Sequence, residues 1–352
     1  MGVFDKILKD SETLFQNELA LDYTFIPPKI QFRENQQAYI ASCIKPLFNN
    51  RSGKNLLISG SPGIGKTVAT RHVLKQLSDE TEEISALYIN CWKKNSAYKV
   101  LHEICSLLDI KFIESLTTEQ LAKKVASALN KKPAVLCLDE IDKLDQPDIL
   151  YTLSEDILKK SLILITNDRS WLSSLDPRIK SRLSLDLLEF QPYSLQEVQE
   201  ILKQRINYAF YPRVFSLELL PHVAHAANQA KDVRTGLYLL KESALLAEAE
   251  SSRSITQQHL DAALKKLENF QLRSQAEIPK DKQSLLEFIK QNPNKPSLEL
   301  YKLYNPKSSY KTFQRKLQDL ESAGVIRLEV RNDGPGKSTI VSLPLQETLD
   351  RF

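Results

Sequence analysis

The sequence predicts an α/β fold with a parallel sheet, followed by an all-helical unit and a small basic C-terminal unit. Three observations carry this. Short apolar runs alternate with stretches of helical period as far as Ile165, whereas the rhythm from Pro192 to Leu267 is helical throughout. After Lys280, three short helical patterns precede a strand-like run and a glycine-rich turn.

The first 30 residues are weakly patterned and end in Tyr23-Thr-Phe-Ile-Pro-Pro28, where paired prolines exclude helix and favour an extended arm. From Arg33 to Leu47, Tyr39, Ile40, Cys43, Ile44 and Leu47 recur at helical spacing. Four runs of strand length follow: 55–59, 86–89, 134–138 and 161–165. Strands alternating with helices imply a parallel sheet covered on both faces. The polar, proline-bearing stretch from Arg273 to Asp281 reads as a linker. The expected divisions are an arm at 1–30, the α/β unit at 31–191, the helical unit at 192–272 and the last unit at 280–352.

Composition narrows the functional classes. A chain of 352 residues exceeds one ordinary core, and 42% hydrophobic with 26% charged residues is globular. No run approaches the roughly 18 apolar residues of a membrane span. The N-terminus lacks the apolar core and small-residue cleavage site of a secretion signal, so a cytoplasmic location is expected, nucleoid-associated if the chain binds DNA. Cys43, Cys91, Cys105 and Cys137 lie in apolar segments without zinc-site spacing, which reads as buried thiols in a reducing compartment. Net charge is only +4, but between Lys280 and Ile340 twelve Lys/Arg stand against seven Asp/Glu. That segment is the expected nucleic-acid face.

Gly60-Ser-Pro-Gly-Ile-Gly-Lys-Thr67 fits the P-loop pattern, between a strand run and a helical pattern beginning at Val68. Glycines let backbone N–H groups turn inward around phosphate oxygens, and the helix presents its positive end to them. Gly60, Pro62, Gly63, Ile64, Gly65, Lys66, Thr67 and Val68 are therefore the expected phosphate-binding residues, with Lys66 reaching the β- and γ-phosphates and Thr67 ligating Mg²⁺. About 70 residues on, the run from Ala134 ends in Asp139-Glu140, as a Walker B motif does. Asp139 is expected to hold the Mg²⁺ and Glu140 to polarise the attacking water. The next run ends in Thr166-Asn167, an amide beside the other strand ends, where ligands collect in such sheets.

This order, with Asp176-Pro-Arg-Ile-Lys-Ser-Arg182 after it, resembles the AAA+ ATPases, and the helical unit resembles their lid. More narrowly, the segment from Tyr88 to Leu101, Asp176-Pro-Arg-Ile and Lys231-Asp-Val-Arg-Thr235 resemble the archaeal replication initiators of the origin-recognition and cell-division-control family, over nearly the whole chain. The resemblance implies an α/β P-loop AAA+ domain with a parallel sheet, an all-helical lid and a C-terminal winged-helix domain. By that resemblance Asn167 is sensor 1, Arg234 is the sensor 2 arginine, Tyr193 and Arg205 are lid contacts to the nucleotide, and Arg178 or Arg182 is the arginine supplied to a neighbouring subunit. It also implies ATP/ADP and Mg²⁺ as ligands, slow hydrolysis acting as a switch, origin duplex DNA and a replicative helicase as partners, and possible homo- or hetero-oligomers on DNA. The segment between Cys91 and Thr118 then holds a helical insertion able to touch DNA. One departure is that the family usually has Gly-Asp before the sensor 2 arginine, whereas this chain has Lys231-Asp232.

In the last unit the helix starting at Tyr310 is expected to bury Phe313, Leu317 and Leu320. Lys311, Arg315, Lys316, Arg331 and Lys337 are then phosphate contacts, and Ser309, Tyr310 and Gln314 are base readers. Winged helices also dock proteins, and basic helix faces are often solvated surface. Two other readings stay open at this level: an ATP-regulated transcriptional regulator or signalling NTPase, and an ATP-holding scaffold that never turns over.

Overall fold

A computed structural model describes residues 13–168, 170–276, 280–304, 309–322, 325–332 and 337–342. They form two compact units that divide between Gln257 and Gln258. The first opens with a strap from Thr13 that includes one short helical turn, Glu18–Leu21. Then come α1 (Glu34–Ile44), β1 (Leu56–Ser59), α2 (Lys66–Glu80), β2 (Ser85–Asn90), α3 (Ala97–Leu107), α4 (Thr118–Leu129) and β3 (Ala134–Asp139). These are followed by α5 (Asp148–Asp156), β4 (Lys160–Thr166), α6 (Trp171–Ser174), α7 (Pro177–Leu183) and β5 (Asp186–Glu189). Three helices complete the unit: α8 (Leu195–Ala209), α9 (Leu220–Ala230) and α10 (Val233–Ala249).

The five strands are all parallel, in the order β2-β3-β4-β1-β5. Period-two alternation splits their apolar side chains between two cores. Leu57, Leu136, Leu138, Leu162 and Leu164 join α3, α4, α5 and α7 on one face. Leu56, Ile58, Val135, Cys137, Ile163 and Ile165 join α1 and α2 on the other. A continuous apolar run is what a strand buried on both faces requires, and β3 is buried at every position. Register then aligns the chemistry, because Ser59 pairs with Thr166 and Asn90 with Asp139 at one end of the sheet. The four cysteines are buried free thiols. Burial pushes the Cys91 thiol up to about 12, so it stays protonated and inert.

The second unit begins with α11 (Gln257–Ala276) and α12 (Lys280–Gln291). The stretch expected to be a linker from Arg273 is thus helical as far as Ala276, consistent with the good helix propensity of its Arg, Gln and Ala. Next come β6 (Lys295–Pro296), α13 (Ser297–Tyr304), α14 (Tyr310–Ser322), β7 (Arg327–Asn332) and β8 (Lys337–Ser342). β6, β8 and β7 form an antiparallel sheet in that order, and helix-strand-helix-helix-hairpin is the succession expected of a winged helix. Its core gathers Leu285, Ile289, Leu300, Phe313, Leu317, Leu320, Ile326 and Val341.

Candidate nucleotide-binding site

The P-loop backbone adopts conformations that demand glycine. Gly63 and Gly65 have φ of 72° and 89°, and a Cβ on Gly65 would lie 2.7 Å from the Tyr193 hydroxyl. Gly65 is the N-cap of α2, so the helix opens directly from the loop with its N–H groups facing the bend. Lys66 is buried, and its Nζ donates at 2.8 Å to the carbonyls of Gly60 and Ser61 and to Asn167 Oδ1. Burial lowers its pKa to about 8, against the opposing pull of Asp139.

Asp139 is buried at the end of β3 and accepts from neutral groups. Thr67 Oγ1 and Tyr88 Oη each donate to its Oδ2 at 2.7 Å, and Glu140 N donates to its Oδ1 at 2.9 Å. Among the described residues it forms no ion pair. A buried carboxylate beside a threonine hydroxyl, with no cation of its own, is a donor set suited to Mg²⁺. The next residue, Glu140, has φ of 54°, an uncommon conformation for glutamate and one that costs of order 1–2 kcal/mol. Burial, reinforced by the charges of Asp139 and Asp142, raises its carboxyl pKa. Asp142 in turn accepts from Thr166 Oγ1 at 2.9 Å and from Asn167 N at 3.4 Å, fixing the end of β4.

The lid closes the other side. Asp232 is the N-cap of α10, and its carboxylate accepts from Arg234 Nε and Nη2 at 2.9 and 2.6 Å. A Cβ on Gly63 would lie 1.9 Å from Asp232 Oδ1, so only glycine allows this approach of the P-loop to the lid. Lys231, which stands ahead of Arg234 where the family usually has a glycine, has φ of 53°, the left-handed conformation that a glycine would adopt without strain.

The P-loop, the acid pair, Asn167 and Arg234 line one cavity of about 360 Å³. Pro62, Gly63, Gly65, Lys66, Thr67, Val68, Asp139, Glu140, Asn167, Tyr193, Arg205 and Arg234, all expected from the sequence, meet there. Gly60 contributes its carbonyl to Lys66, and the Ile64 side chain is packed into the core rather than the cavity. Arg205 lines the wall, but Nη1 and Nη2 donate to the strap carbonyls of Ala20 and Phe25 at 3.0 and 3.2 Å. It therefore anchors the strap that forms the wall, and burial lowers its pKa to about 10. Arg178 pairs with Asp176 and Arg182 with Glu155, and neither lines the cavity.

Four residues that sequence reasoning missed support the site: Arg33, Tyr88, Asp142 and Asp232. Arg33 donates to carbonyls far away in sequence, which no local pattern reveals; Tyr88, two residues from the end of β2, carried a faint signal as the polar-tipped residue of an apolar strand.

In the second unit Lys311, Gln314 and Arg315 are exposed on α14. Ser309 is placed at its start, where Oγ accepts from Thr312 N at 3.3 Å. Tyr310 turns inward instead, its hydroxyl 2.8 Å from Ser297 Oγ and its ring edge-on to Tyr301, so aromatic packing removes it from the expected base-reading face. Arg331 and Lys337 are paired backbone positions of the β7–β8 hairpin, whose tip at 333–336 lies outside the described residues, as do the side chains of these two.

A P-loop, an acid pair, a strand-terminal amide and a lid arginine around one cavity define a nucleotide-binding protein of the AAA class. Residues 50–167 match the AAA domain family, and 199–265 match the Cdc6 AAA+ ATPase-type lid domain. The chain is 32% identical over 282 residues to ORC1-type DNA replication protein 1 of Methanosarcina mazei, covering 76% of this chain and 68% of that one. It is 28% identical over 366 residues to the ORC1-type DNA replication protein of Pyrococcus abyssi, covering 94% and 87%. The chain belongs to the family of ORC1-type DNA replication proteins. Its fold is shared by the Aeropyrum pernix ORC1 protein solved with DNA (TM-score 0.69, 23% identity, 94% of each chain). It is shared equally by the ORC2 protein of that organism, solved as ADPNP-ADP complexes (TM-score 0.72, 18% identity, 94% of each chain). No helix among the described residues is long and apolar enough to cross a membrane.

Proposed function

We propose that this protein is an ATP-dependent replication initiator that binds origin duplex DNA, with ATP and ADP setting its conformation and a replicative helicase as its downstream partner. The observation that carries this reading is the convergence of P-loop, acid pair, Asn167 and lid Arg234 on one cavity. In this reading the α/β domain is 31–191 behind an arm at 1–30, the lid is 192–272 and the DNA-binding winged helix is 280–352. The aligned N–H groups of the P-loop and the Lys66 ammonium bind the phosphates. Thr67 and Asp139 would hold a Mg²⁺, which would neutralise phosphate charge when bound. Tyr88 and Thr67 fix the Asp139 carboxylate by donating to it. Glu140, its basicity raised by burial, accepts a proton from the attacking water, while Asn167 and Arg234 bracket the terminal phosphate. Arg178 and Arg182 lie outside the cavity, so hydrolysis is slow until a neighbouring copy on DNA supplies one of them.

DNA binding rests on the exposed Lys311, Gln314 and Arg315, with Ser309 at the helix start and Arg331 and Lys337 flanking the hairpin tip. The test is fluorescence anisotropy with origin duplex and with random duplex, in ATP and in ADP. The expected outcome is tighter binding of origin DNA, dependent on nucleotide, that Arg315→Ala weakens by about tenfold. Equal, salt-sensitive binding of every duplex would reduce the protein to a generic DNA-binding ATPase, and no binding would favour the regulatory NTPase reading.

A further inference from the structure

Arg33 lies outside every motif of the sequence, yet it is only 4% exposed. It is the N-cap residue of α1, preceded by Phe32 at φ 61°, a left-handed conformation that costs a bulky residue free energy and turns the chain inward. Its Nη2 donates two hydrogen bonds, at 3.1 Å to the carbonyl of Ile64 in the P-loop and at 2.7 Å to the carbonyl of Gln191. Its guanidinium lies 3.8 Å from the centroid of the Tyr193 ring and 5.2 Å from that of Phe190.

Those partners belong to two different segments, the P-loop and the connection from β5 to α8. Ile64 is the residue before Gly65, where an added Cβ would lie only 2.7 Å from the Tyr193 hydroxyl. Residues 190–194 connect β5 to the lid helix α8, and Phe190 N is bonded at 2.9 Å to the carbonyl of Ser59, the last residue before the P-loop. One nitrogen thus holds the loop that receives phosphate and the hinge from which the lid departs. Because the charge is buried with its Nε unpartnered, the two carbonyls and the two ring faces are its compensation, and separating loop from hinge leaves it under-satisfied.

We infer that Arg33 is a positioning residue that couples the P-loop to the lid hinge, so that Arg234 is held over the cavity only while the Ile64 and Gln191 carbonyls share the Arg33 guanidinium. This rests on the reading of the cavity as an ATP site and on Arg234 as a contact to the nucleotide. A lysine at this position keeps the charge but cannot bridge both carbonyls while stacking on Tyr193.

The test has two arms. In the first, binding of a fluorescent ATP analogue is measured for wild type, Arg33→Lys, Arg234→Ala and the double variant. The expected result is that each single change weakens binding by at least about tenfold and that the double variant is no weaker than the worse single one, because both act through the same lid contact. Factors that multiply, or an Arg33→Lys affinity equal to wild type, would overturn the inference. In the second arm, amide hydrogen exchange is followed without nucleotide. Arg33→Lys is expected to accelerate exchange at Phe190 and at Val233, whose N–H reaches Gly63 O at 3.4 Å, while leaving Leu136 and Leu138 in the sheet centre unchanged. A uniform acceleration or none would make Arg33 a packing residue only. Should wild type bind no ATP analogue, the ATP reading fails, and the exchange arm still decides the role of Arg33.

Discussion

Lys66 illustrates how a single buried charge sets the conditions under which the site works. Its ammonium is satisfied by two loop carbonyls and Asn167, but burial brings its pKa from the ordinary 10.5 to about 8. In the nucleotide-free protein the unfolded chain therefore holds this proton more tightly than the folded one between pH 8 and 10.5, and the group's penalty on stability is relieved as pH rises through that window. Phosphate binding works in the opposite sense, since anionic oxygens favour the protonated amine. ATP affinity is expected to hold near pH 7 and to fall progressively above pH 8, a dependence that Lys66→Arg removes; titration calorimetry at several pH values checks it. Among single residues, the cavity lining of the P-loop and the acid pair was legible in the sequence because it follows from local spacing, except that Ile64 turns into the core. Arg205 was legible as a lid residue near the cavity but not as an anchor of Ala20 and Phe25, since those bonds span 185 and 180 residues.

Elements were readable where burial was continuous. Each strand expected from an apolar run exists, within a residue or so of the expected ends, because β3 and β4 are covered on both faces. β5 went unread because it is a four-residue edge strand with alternate positions exposed, including Leu187 at 65%. The α9–α10 turn shows a departure from pattern in the sequence that carries a backbone cost. Lys231 takes the left-handed conformation at the C-terminus of α9, with its N–H bonded to Asn228 O at 3.0 Å. Lys231→Gly is expected to stabilise the lid by roughly 0.5 kcal/mol, the relief of the side-chain clash being partly offset by glycine's extra chain entropy. Thermal unfolding measures this, and a lower midpoint for the glycine variant would show that the lysine side chain makes a compensating contact.

At the level of the molecule, the second unit has a core of its own, separate from the two that cover the parallel sheet. The second unit's cluster is centred on Phe313, which is 1% exposed and meets Tyr301 and Tyr304 ring to ring. Phe313→Ala is expected to cost about 3–5 kcal/mol, enough to unfold a unit of this size. DNA binding should then be lost while the ATP analogue still binds, with calorimetry showing the first unit's transition retained. Loss of both activities together would mean that the units do not fold independently.

Parallel strands in register bring Ser59 level with Thr166 and Asn90 level with Asp139 at one end of the sheet, and among the described residues none of those that begin the five strands lines the cavity. The turn leading into β2 carries exposed Glu82 and Glu83 and no residue of the cavity. That asymmetry offers an attachment point for a reporter: a fluorescent or affinity peptide inserted between these two glutamates is expected to change ATP affinity by no more than about twofold, whereas the same peptide after Glu140 abolishes it.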